Sequence, residues 1–174
     1  SPRSELQPGF LAQNSSLQGQ SALIIGGHGE LAHAMAAALA DRGANIVLAA
    51  RKKPQCDAQA EEIARTFGVD TLSCKCDIAI EDDIRSAVTQ AHDHFGRLDI
   101  LVNNAGTSWS GAPEDIPLSG WSKTVDVNLT GAFIAAREAG RLMLAAGKGS
   151  ILFIASTGGM TSFTPEMAEI IPYT

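Results

Sequence analysis

The spacing most suggestive of chemistry lies in Ile24-Ile25-Gly26-Gly27-His28-Gly29-Glu30-Leu31-Ala32. Gly27-x-Gly29-x-x-Ala32 and Gly26-x-x-Gly29-x-x-Ala32 both put small residues where an apolar run gives way to an alanine-rich stretch. In a strand-to-helix turn, one such residue permits the tight turn, one lets a pyrophosphate approach the backbone and one lets the helix pack closely. The free N–H groups and positive dipole end of that helix would face phosphate oxygens. A glycine-rich turn with no ligand looks the same, so the motif alone leaves both readings level. Glu30 disfavours a phosphate neighbour but suits a first helical turn, and is expected to point outward.

Those residues need elements to hold them. Ala22–Ile25 reads as a strand and Leu31–Arg42 as a helix whose Leu31, Met35, Ala38 and Leu39 recur at helical spacing, ended by Gly43. Asn45–Ala50 is a second strand. Pro54 opens a helix with Ile63, Ala64 and Phe67 on its apolar side, and Gly68 closes it. Strand three is expected over Val69–Cys76, near a sheet edge because apolar and polar residues alternate. Glu81-Asp82-Asp83 starts a helix buried through Ile84, Ala87, Val88, Ala91 and Phe95 and ended by Gly96. Leu98–Val102 is a strand covered on both faces, and Gly106–Gly120 is loop or short helix. Thr124–Ala146 is expected as one long helix with Val125, Leu129, Phe133, Ala136, Gly140 and Met143 along its apolar side, followed by a strand at Ser150–Ala155. Five strands alternating with four helices predict an α/β fold, a Rossmann-type doubly wound parallel sheet in the order 3-2-1-4-5. Residues 1–20 read as an N-terminal arm and 21–174 as the dinucleotide-binding domain.

In such a sheet, ligands bind beyond the carboxyl ends of the strands, where the strand order reverses. Those ends carry Gly26 to Gly29, then Arg51, Asp77-Ile78, Asn103-Asn104-Ala105-Gly106 and Ser156. Asn128 lies inside a helix, where Asn competes with the backbone for hydrogen bonds, so its presence implies a purpose. This ordered set, with Tyr173 as the single tyrosine, resembles the short-chain dehydrogenase/reductase family. The resemblance implies an NAD(P)-dependent oxidoreductase that interconverts a ketone and a secondary alcohol by hydride transfer.

Residue roles follow from the resemblance. Gly26, Gly27, His28, Gly29, Glu30 and Leu31 would form the cofactor turn, and Asn104, Ala105 and Gly106 would line the adenine-ribose side. Asp77, beside Ile78, would accept from the adenine amino group; it also suits an N-cap of the following helix. Asn128 would hold a water in a proton relay, Ser156 would hydrogen-bond the substrate oxygen, and Tyr173 would act as general acid or base. A free phenol titrates near pH 10 and needs help at neutrality. In the family a Lys four positions on gives that help, a position beyond Thr174, and the C-terminal part of the usual fold has no counterpart in these 174 residues. A catalytically incomplete nucleotide-binding or assembly module is therefore the second expectation. Ala50 stands where an acid would bind the ribose of NAD, whereas Arg51, with Lys52 or Lys53, offers donors to the 2′-phosphate of NADP. NADP is the expected cofactor, with NAD the alternative.

Composition bounds the remainder. At 45% hydrophobic and 18% charged residues the chain can build a core, and a net charge of −6 argues against a general nucleic-acid binder. No apolar run approaches the ~20 residues that span a bilayer and no leader pattern opens the sequence, so no membrane contact and a cytoplasmic setting are expected. Cys56, Cys74 and Cys76 read as buried free thiols, and His92 and His94, two apart on a helix, are a poor metal pair. Ala132, Ala135, Ala136, Ala139 and Gly140 would allow close helix approach, either to the chain's own sheet or, as the resemblance implies, to a partner in a homo-oligomeric dimer or tetramer.

Overall fold

The computed structural model describes residues 15–109 and 111–156. Strands β1 (Ser21–Ile25), β2 (Asn45–Ala50), β3 (Thr71–Lys75), β4 (Ile100–Asn103) and β5 (Ser150–Phe153) pair in parallel in the order β3-β2-β1-β4-β5. Helices α1 (Glu30–Asp41), α2 (Lys53–Phe67), α3 (Glu81–Phe95), α4 (Leu118–Val125) and α5 (Ala132–Ala145) connect them. Neighbouring residues on a strand face opposite sides, so the sheet divides the core in two. Ala22, Ile24, Ile46, Leu48, Ile100 and Val102 pack under α1 and α2. Leu23, Ile25, Val47, Ala49 and Leu101 pack under α3 and α5. Every residue of β1 and β4 is buried, as a parallel strand covered on both faces requires. The expected fold class and strand order are those observed.

Two helical faces differ from the expectation. In α1 the buried residues are Ala32, Ala36 and Ala40, while Leu31 is 56% exposed and Ala38 is also exposed. A helix with only methyl groups on its inner face lies close to the sheet, and the larger Met35 and Leu39 flank the contact. The helix expected to begin at Thr124 begins at Leu118 and is interrupted by a π turn at Asp126–Gly131 before α5. The wider turn shifts the phase of everything after it. Gly131, Ala135, Ala139 and Met143 are therefore buried, and Leu129 and Phe133, expected in the core, are 67% and 61% exposed. Ala135 and Ala139 pack on the chain's own sheet.

The amino ends of the strands are tied by one buried carboxylate. Asp99 accepts from the Ser21 backbone N–H at 3.0 Å and takes both guanidinium contacts of Arg97 at 2.6 Å. Burial pushes the Asp99 carboxyl up, but Arg97, the Ser21 N–H and Lys148 together outweigh it and hold it below the usual carboxylate range. Of the expected arm, residues 15–20 lie among those described. Leu17 packs on the core and donates its N–H to Arg42, while Asn45 donates to Gln20. Cys56, Cys74 and Cys76 are buried free thiols, and burial raises Cys74 to about 11 and Cys76 to about 12.

Candidate functional site

The carboxyl edge of the sheet is built around Gly26. Its φ is +80°, and a Cβ there would stand 2.5 Å from the Ala105 nitrogen. The Gly26 and Gly27 N–H groups both donate to the Ala49 carbonyl, at 2.9 and 3.0 Å. A Cβ on Gly27 would lie 2.8 Å from the Ala49 nitrogen, so this glycine brings the turn onto β2 and stays beneath the ligand surface. Asn104 fastens the turn from the other side: its Nδ2 donates to the Gly26 carbonyl and its backbone N–H to that of Ile25, each at 2.9 Å. Gly29, at φ 102° and ψ 168°, caps α1 without a side-chain hydrogen bond. That conformation is essentially restricted to glycine. It leaves the first N–H groups of α1 without a side-chain cap, and Glu30 is exposed as expected.

Two adjoining clefts run along this edge and share His28, Asn104, Ala105, Gly106 and Thr107. The smaller, about 180 Å³, is walled by Gly26, Arg51, Cys76, Asp77, Ile78, Lys123 and Val127. The larger, about 810 Å³, is walled by Gly29, Glu30, Leu31, Ala32, Asn103, Asn128 and Ser156. Thus every sequence-predicted site residue among those described reaches the clefts except Gly27, which shapes the turn below them. Tyr173 lies outside the described residues.

The charged side chains differ in how far they are committed. Arg51 is exposed and has no ion-pair partner among the described residues. Lys53 does have one: its Nζ lies 2.6 Å from Asp57 Oδ1, and Ser73 also donates to that carboxylate. Of the two lysines expected to help Arg51, Lys53 is thus held over α2 and β3, while no ion pair engages Lys52 among the described residues. Asp77 does not cap α3, whose N-cap residue is Ile80. Its Oδ1 instead accepts from the Ala79 N–H at 3.0 Å, an Asx turn, while Asp83 Oδ2 takes the Asp77 N–H at 2.9 Å. Oδ2 of Asp77 has no protein donor among the described residues.

Asn128 sits in the π turn and grips one residue of the β4–α4 connection. Its Oδ1 accepts from the Thr107 N–H at 2.9 Å and its Nδ2 donates to the Thr107 carbonyl at 2.7 Å. Asn128 thus satisfies a loop peptide that lines both clefts, which accounts for an Asn at this helical position. Asn103, in the wall of the same cleft, is 3% exposed, and neither of its side-chain amide atoms has a hydrogen-bond partner among the described residues.

The sequence and the fold match a known group of proteins. The short chain dehydrogenase family model matches residues 20–168. The chain belongs to that family. It is 33% identical over 159 residues to a probable NADP-dependent mannitol dehydrogenase of Yarrowia lipolytica, covering 90% of this chain and 57% of that protein. It is 38% identical over 144 residues to (+)-borneol dehydrogenase 2 of Salvia officinalis, covering 80% and 50%. Among solved structures, NADPH-dependent 3-quinuclidinone reductase of Rhodotorula rubra superposes with a TM-score of 0.84 at 32% identity, over 94% of this chain and 62% of that one. The chain spans between half and two thirds of the length of each of these short-chain dehydrogenase relatives.

Three polar residues that line the clefts were not singled out from the sequence. Thr107 is the partner of Asn128, Ser108 stands in the larger cleft and Lys123 in the smaller. Thr107 and Ser108 directly follow Asn103–Gly106, so extending that motif by two residues would have found them. Lys123 looks in sequence like any exposed helical lysine.

Proposed function

We propose that the protein is an NADP(H)-dependent oxidoreductase that interconverts a small-molecule ketone and a secondary alcohol. The observation that carries the cofactor reading is the Arg51 guanidinium, without an ion-pair partner among the described residues, in the wall of a cleft that begins at the glycine turn. No acid stands at position 50 to bind an unphosphorylated ribose, and a guanidinium offers a planar fork of donors to a 2′-phosphate.

The residues present fit a dinucleotide. Gly26 and Gly27 let the turn lie against Ala105 and β2, the start of α1, which has no side-chain cap, offers N–H groups to a pyrophosphate, and Asp77 Oδ2, with no donor among the described residues, can accept from an amino group. When bound, the dinucleotide supplies or takes up the hydride. On this reading Ser156 offers a hydroxyl to the substrate oxygen, stabilising negative charge that develops there. Asn128 fixes the Thr107 peptide at the cleft, and Tyr173 moves the proton. The same reading includes a homo-oligomer, supported by the exposed Leu129 and Phe133, and a cytoplasmic setting; no helix among the described residues is long and apolar enough to cross a membrane.

The test is a titration of the purified protein and of Arg51→Ala with NADPH and NADH. Tighter binding of NADPH is expected, and the substitution should remove most of that preference, about tenfold or more. An unchanged preference in Arg51→Ala would remove Arg51 from the phosphate site.

A further inference from the structure

We propose that Lys123 recognises the adenine base: its ammonium donates to the ring nitrogens of the base whose amino group is accepted by Asp77. This rests on the dinucleotide reading above and names the residue that completes the base-binding end of the same site.

Lys123 reaches the smaller cleft because of a close contact three residues past Asn128. A Cβ on Gly131 would collide with the Ile78 carbonyl oxygen, so the helical run from α4 into α5 lies flush against the Asp77-Ile78 turn. Val127 and Lys123 precede Gly131 by about one and two helical turns, and both line the cleft with Asp77 and Ile78. Arg51 enters from the end of β2, while Lys123 enters from the α4 wall. Lys123 is exposed and makes no ion pair among the described residues, although the acidic Asp126 follows one turn later. Its ammonium is therefore uncommitted.

The chemistry of the base calls for this pair. The exocyclic amine of adenine only donates, and an ionised carboxylate only accepts. The ring nitrogens only accept, and an ammonium only donates. Asp77 already spends Oδ1 on Ala79, leaving Oδ2 for the amine. Ile78, Ala105 and Val127 supply apolar wall to the same cleft, and a cation on the α4 side, opposite Arg51, also offsets the negative charge of Asp77.

Binding of three probes separates this role from its alternatives. In Lys123→Ala, affinity for 5′-AMP and for adenosine 2′,5′-bisphosphate should fall by the same factor, about three- to tenfold. Ribose 5-phosphate, which lacks the base, should bind the variant and the parent equally. Arg51→Ala should instead weaken the bisphosphate alone. Equal affinities for all three probes in Lys123→Ala would overturn the proposal, as would loss confined to the bisphosphate or loss that extends to ribose 5-phosphate. If the unsubstituted protein binds neither adenine nucleotide, the dinucleotide reading fails and this proposal with it, an outcome distinct from a silent Lys123→Ala.

Discussion

Gly26→Ala separates two reasons for glycine that usually act together. At φ +80° an alanine costs about 1–2 kcal/mol of backbone strain. Its methyl would also stand 2.5 Å from the Ala105 nitrogen and 2.7 Å from the Ala105 Cα, atoms fixed by the β1–β4 ladder and by Asn104. Forcing backbone apart adds about 1–3 kcal/mol, for a total loss of roughly 2–5 kcal/mol. Gly68 supplies the control. It has φ 68° and ψ 25° at the end of α2, and nothing lies within 4 Å of the place a methyl group would take there. Gly68→Ala should cost only the strain, about 1–2 kcal/mol. The gain from a stiffer unfolded chain is common to both substitutions and cancels in the comparison. Urea unfolding of the three proteins, with slopes checked for equality, gives the difference directly. Equal losses at the two positions would refute the claim that the approach of Ala105 dictates glycine in the turn.

Asp99→Asn should destabilise the protein by about 1–2 kcal/mol at neutral pH, because Arg97 and the Ser21 N–H lose their charged acceptor. The Asp99 carboxyl is held below its ordinary value in the fold, so its contribution is present above the unfolded value near pH 3.9 and disappears as pH falls through the folded one. The stability gap between the two proteins should therefore be constant from pH 7 to about pH 5 and close below about pH 4; a gap that persists in acid would show that the charge does not matter. Asn128→Leu removes both hydrogen bonds to Thr107, and hydrogen exchange should report faster exchange of the Thr107 amide and a stability loss of about 1–2 kcal/mol. An amide that stays protected would mean that other contacts hold the loop.

Much of this architecture could be read from apolar runs closed by glycine. Gly43, Gly68 and Gly96 all adopt positive φ just after a helix, and the order of strands follows from short alternating β and α segments. The faces of α1 and of the long helix could not be read in this way. A periodicity of 3.6 assigns the largest apolar residues to the core, whereas α1 approaches the sheet on methyl groups alone. It also assumes a constant phase, which the π turn at Asp126–Gly131 breaks. Cleft-lining residues delivered by strand ends were legible because a parallel sheet sends them all to one edge. How side chains pair could not be read in the same way: Lys53 turns to Asp57, and Asp77 spends one oxygen on the Ala79 N–H in place of capping α3. Lys123 depends on a contact between Gly131 and Ile78 that no local pattern announces.

Asn104 and Thr107 are held at opposite ends of one short segment. Asn104 is bonded to the peptide groups of the glycine turn, and Thr107 is bonded twice to Asn128. Four consecutive residues therefore work as a tie-bar between the glycine turn and the π turn. Tension applied at either anchor is shared by the other, so a shift of the glycine turn by even a fraction of an ångström would be felt at the helix that carries Asn128.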